Sequence, residues 1–147
     1  MGTTASIPAT AVAIFTAAAL TATTPTARAD VSQVLVRTQS GNTRCIILTG
    51  EVGCETYVPT GFVQGTNFPD AFGNHNANIA RVASAGQFEW RFGDIPGEHP
   101  ENDIVLNYGQ TYHFSGWTVS PTTEGTRFAN DGTGHGMFVS IENVSSF

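Results

Sequence analysis

Apolar and polar positions alternate along this chain in short runs, and glycine, proline, asparagine or serine breaks the runs at close intervals. Residues 87–92, QFEWRF, show the pattern best. Phe88, Trp90 and Phe92 fall on one side of an extended chain, and Glu89 and Arg91 on the other. The turn Ser84-Ala85-Gly86 joins this run to IARVAS and makes a hairpin. Further strands are predicted at 31–37, 44–48, 53–58, 79–84, 104–106, 111–120, 126–129 and 137–141. No stretch carries a 3.6-residue repeat. The pattern predicts an all-β fold with little helix, a compact antiparallel sandwich or barrel built of hairpins. Two segments read as irregular: 59–78, rich in Gly, Asn and Phe, and 93–103, acidic with Pro96 and Pro100. Phe62, Phe68 and Phe72 read as plugs that fasten the first loop to the core, and Trp90 reads as buried.

Residues 11–20 are a ten-residue apolar run, too short to cross a bilayer. A Thr/Pro patch follows, then Ala27-Arg28-Ala29, a small-x-small cleavage pattern. Residues 1–29 are therefore expected to be a secretory signal, although no Lys or Arg precedes the apolar run. Residues 30–147 are expected to be one all-β domain, located outside the cell or in its envelope. No lipid-anchor cysteine and no second apolar stretch follow, so no membrane span is expected in the mature protein.

Charge narrows the choice of partner. Beyond residue 29 five arginines and no lysine face twelve Asp and Glu, a net charge of −7. Such a field repels nucleic acid and anionic membrane surfaces. The expected partner is extracellular or in the cell wall, and the chain is expected to be a monomer. Two cysteines, Cys45 and Cys54, enclose eight residues with a Thr-Gly-Glu turn. Export exposes them to oxidation, so a disulfide across a hairpin is expected. No Cys-x-x-Cys or matching Cys/His set points to zinc or redox chemistry.

The candidate chemistry centres on NDGTGHG, residues 130–136. A small hydrolase would use His135 as base and Asp131 to orient it. No Gly-x-Ser-x-Gly elbow accompanies them, and Ser40 and Ser140 sit in no recognisable nucleophile setting. Turn formation explains the same residues, because Asn, Asp and Gly bond their own backbone or accept positive φ. His75, His99, His113 and His135 show no metal-binding spacing. The acidic loop offers Asp94, Glu98, Glu101 and Asp103 as oxygen ligands for calcium, without an EF-hand spacing. No cofactor is expected.

Two sets of motifs resemble a family of small secreted or lipid-anchored actinobacterial, mycobacterial-type proteins of unknown function. The first set is Ser40-Gly41-Asn42 with Cys45, then Val52 and Cys54. The second is Leu106, Tyr108 and Gly109, then Gly125, Asn130 and Thr133-Gly134-His135-Gly136. The resemblance covers both flanks of the mature chain well and 59–100 poorly. It implies export and a β-rich fold, and brings no activity. Members of the group commonly carry a second cysteine pair where this chain has Val119 and Phe128. Like the cysteines, these two enclose eight residues, which implies a second hairpin held by an apolar pair. The function expected from the sequence is an exported, non-enzymatic binding or envelope-associated module, with the His135/Asp131 hydrolase as its rival.

Overall fold

The computed structural model describes residue 2 and residues 33–66, 68–70, 73–97 and 100–147, with the backbone alone at 68–70 and 73–75. The expected signal segment lies outside these residues apart from Gly2, as do Phe72, Glu98, His99 and the side chains of Phe68 and His75. Along the described chain run β1 (Val34–Thr38), β2 (Thr43–Leu48), β3 (Glu51–Thr56), β4 (Phe68–Asp70), β5 (Gly73–His75), β6 (Ile79–Ala83) and β7 (Phe88–Arg91). A 3₁₀ turn, Pro100–Asn102, precedes β8 (Ile104–Leu106). Then follow β9 (Tyr112–Phe114), β10 (Trp117–Pro121), β11 (Thr126–Asn130), β12 (Gly136–Val139) and β13 (Val144–Ser146).

The strands form two main sheets. The first is ordered β7-β6-β3-β2-β1-β8 and the second β13-β12-β11-β10-β9, while β4 and β5 make a separate ribbon. Neighbours are antiparallel except for β1 and β8, which run parallel. The two sheets share one core. Val36, Ile47, Val52 and Val82 from the first meet Trp117, Val119, Phe128 and Met137 from the second. Each such buried side chain contributes roughly 1.5–3 kcal/mol. Trp117 also donates its indole N–H to the Leu48 carbonyl at 2.9 Å, so its polar edge is satisfied inside the core. The expected hairpin-built all-β fold is what forms, as paired sheets without a closed barrel.

Cys45 and Cys54 are direct cross-strand partners on β2 and β3, joined as a disulfide with Cα atoms 4.1 Å apart. That is the spacing of the closer, non-hydrogen-bonded pairs of an antiparallel ladder. Val119 and Phe128 are partners in the same way on β10 and β11, both fully buried.

Several expectations change. The predicted strand 111–120 is two strands, folded back at Ser115-Gly116, whose φ angles are 49° and 81°. Positive φ at both central residues makes a primed hairpin turn, which follows the twist of the strands. Phe88 and Trp90 do pack on the core, but Trp90 is only partly buried. Phe92 lies past the end of the strand and is 47% exposed. In the irregular 59–78 segment, Phe62 is a plug: it is 0% exposed and meets Trp90 at 5.6 Å between ring centroids. The β4–β5 ribbon and β13 are additions to the predicted strands.

Candidate functional site

The 130–136 loop is held by a sequence of local bonds. The Asn130 side-chain oxygen accepts the N–H groups of Gly132 and Thr133, both at 3.1 Å, the Asx turn that the Asn-Asp-Gly order favours. The Gly134 N–H reaches the Asn130 carbonyl at 2.9 Å, and the Asn130 N–H reaches the His135 carbonyl at 2.8 Å. The two glycines beside His135 have separate reasons. Gly134 has φ +76°, which a side chain disfavours. Gly136 has no room for one, since a Cβ there would lie 1.9 Å from the Phe128 carbonyl oxygen.

The loop then grips the other sheet. Thr133 donates its hydroxyl to the Ser84 carbonyl, in the β6–β7 turn. The His135 ring lies against Gly86 of that turn, so close that a Cβ on Gly86 would meet the ring at 2.9 Å. His135 Nδ1 is 3.2 Å from the Phe147 carbonyl oxygen. A carbonyl only accepts, so Nδ1 carries the proton of this bond. His135 is a clasp between two hairpins.

Asp131 is turned to a different partner. Its Oδ1 accepts the Thr118 hydroxyl at 2.5 Å, and Thr118 Oγ1 is also 3.1 Å from His113 Nδ1. Thr, His and Asp thus meet on the exposed face of the second sheet, in an order unlike a nucleophile triad. The single Thr118 proton goes to Asp131, so His113 Nδ1 donates and is not free to act as base. The sequence reading missed this trio because His113 and Thr118 are neighbours only once the Ser115-Gly116 turn folds β9 onto β10. Ser40 and Ser140, the weighed nucleophiles, brace turns: each hydroxyl accepts a nearby backbone N–H, from Asn42 and Asn143 respectively.

The acidic loop is fastened to the outer face of the first sheet. Arg44 makes a two-pronged ion pair with Asp103, at 2.5 Å from Nε and 3.0 Å from Nη2. Its remaining nitrogen donates to the Ile95 and Gly97 carbonyls, both at 3.1 Å. Both side chains are closed to solvent. The Asp103 bond raises the Arg44 guanidinium above its ordinary value. Beside it Glu55, also buried, accepts the Ile95 N–H at 3.0 Å and an Asn78 amide proton at 3.3 Å. Burial pushes the Glu55 carboxyl above its ordinary value against the pull of the Ile95 amide. Of the four weighed calcium ligands, Asp103 is thus spent on Arg44. Asp94 and Glu101 are exposed, and Glu98 lies outside the described residues. Among the described residues no three His, Cys, Asp or Glu side chains gather closely enough to hold a metal ion.

An open site lies at the opposite end of the sandwich from His135. The β1–β2, β10–β11 and β12–β13 turns surround a polar cleft of about 200 Å³, with Tyr108 beside them. No family model matches the chain, and no curated protein or solved structure matches it.

Proposed function

We propose that this chain is an exported, non-enzymatic binding module that acts in the extracellular space or the cell envelope. The observation that carries this reading is the contrast of the two ends. The His135 end is closed by bonds that use the loop's own polar groups, and the other end presents an open polar cleft. The His135/Asp131 hydrolase lacks support in the geometry, because the two side chains serve separate partners.

Assays with chromogenic ester, glycoside and peptide substrates, run on the chain and on H135A and D131N, test the reading. The expected result is no turnover, with H135A less stable. Turnover that disappears in a folded H135A or D131N overturns the module in favour of the hydrolase. Retention of the intact chain on insoluble envelope material is the positive counterpart.

A further inference from the structure

We propose that the inter-sheet cleft binds a neutral, polyhydroxylated ligand, a single sugar ring. This deepens the binding-module reading and rests on it. The cleft brings together turns far apart in sequence: Ser40 and Asn42 from the first sheet, Glu124 and Thr126 from β10–β11, Glu142 from β12–β13, and Tyr108 between. Its size is below the roughly 300–1,000 Å³ of pockets for drug-sized molecules, which suits one ring.

The chemistry of the wall selects the ligand. Among the described residues the charged side chains lining it are Glu124 and Glu142, which repel phosphates and carboxylates. Hydroxyls and the Asn42 amide both donate and accept, as sugar hydroxyls do. A bare cation would leave every donor idle, and an apolar ligand would strand both donors and acceptors. Glu124 is already positioned by the Thr123 hydroxyl at 2.8 Å, and Glu142 lies 3.4 Å from the Ser140 hydroxyl. Each retains lone pairs for a ligand hydroxyl.

Thr126 supplies an independent sign. On β11 it alternates with Phe128 and Asn130, so its side chain points between the sheets at the mouth of the core. The residue is 2% exposed, and its hydroxyl has no hydrogen-bond partner among the described residues. Buried hydroxyls are nearly always paired. A sugar hydroxyl reaching the cleft floor, with a small shift of the surrounding loops, gives the Thr126 hydroxyl a hydrogen-bond partner.

The test is amide chemical-shift mapping on the full chain with neutral hexoses, pentoses and their disaccharides. Glucuronate, glucosamine and calcium chloride serve as charged controls. The expected result is saturable shifts confined to 38–43, 108, 122–126 and 139–142 with a neutral sugar. Thr126→Val and Asn42→Ala should each weaken binding about tenfold, while Glu142→Gln, which keeps hydrogen bonding without charge, should change it less than threefold. Thr126→Val should melt, without sugar, at or above the parent temperature. Binding only to the charged controls, shifts elsewhere, or full affinity in both Thr126→Val and Asn42→Ala overturns the sugar site. Absent shifts with retained binding to envelope material overturn the sugar site alone. Cleavage of a bound sugar overturns the binding-module reading itself.

Discussion

The two ends of the sandwich are built from the same parts, tight turns between antiparallel strands, and they finish differently. At one end Thr133 and His135 reach across to Ser84 and Gly86 and close the gap between the sheets. At the other, Gln64 ties down the β12–β13 turn through Asn143 and the Val144 N–H, and Gln39 holds the Tyr108 N–H, yet a cleft stays open between the turns around Ser40, Glu124 and Glu142. Two turn glycines of the first sheet show the same difference: a Cβ on Gly86 strikes the His135 ring of the other sheet, whereas one on Gly41 meets nothing within 4 Å. The end with the most chemical-looking sequence is therefore the sealed one. A histidine in a glycine-rich loop indicates tight packing as readily as it indicates reactivity.

The contrast can be broken most severely at Gly136. Gly136→Ala places a methyl group against the Phe128 carbonyl and should cost roughly 3 kcal/mol or more, read from denaturant unfolding. Gly41→Ala, at the open end, faces only the strain of its φ of +76° and should cost about 1 kcal/mol. Removing the bridge with Cys45→Ala/Cys54→Ala should cost roughly 2–3 kcal/mol for a loop of this length. Hydrogen exchange should then show both ends loosened alike, since the bridge lies mid-strand; mass spectrometry of the parent should show two hydrogens fewer than the dithiol.

His135→Ala should cost about 1 kcal/mol, one neutral hydrogen bond, with faster exchange confined to the clasp. Equal loosening of the cleft turns would erase the distinction between the ends. The smallest effect concerns the flank. Glu55 has a raised folded-state value, so its protonated form favours the fold. That contribution is whole below the ordinary value of 4.5 and is lost as pH rises through the raised one. The stability difference between Glu55→Gln and the parent should accordingly widen as pH climbs from acid toward neutral. A difference constant with pH would show that Glu55 does not titrate apart from the unfolded chain.

Local signals carried much of the fold. The Ser84-Ala85-Gly86 turn and the cysteine spacing each involve residues within one hairpin, and each has the structure expected; the QFEWRF run forms its strand over Phe88–Arg91 but leaves Phe92 outside it. The frame of Val119 and Phe128 did likewise. The run 111–120 misled because its β-forming residues continue on both sides of Ser115-Gly116, a turn with a serine where asparagine or aspartate is the stronger signal. The binding of the acidic loop was beyond reach, since Arg44 and Asp103 are 59 residues apart. The cleft was hidden for the same reason: its walls come from turns that only the completed sheets bring together.

The parallel pairing of β1 with β8 has a consequence for how the chain must be made. Val36 finds its neighbour at Ile104, 68 positions later. Until that stretch has been synthesised and folded back, β1 presents a bare row of backbone donors and acceptors to any strand nearby. Such a distant contact closes slowly, so the growing chain passes through a period in which its own copies are competing partners. The short strand Ile104–Leu106 ends that exposure. A chain cut short before residue 104 is expected to self-associate, where the finished one ends this sheet on an edge strand of only three residues.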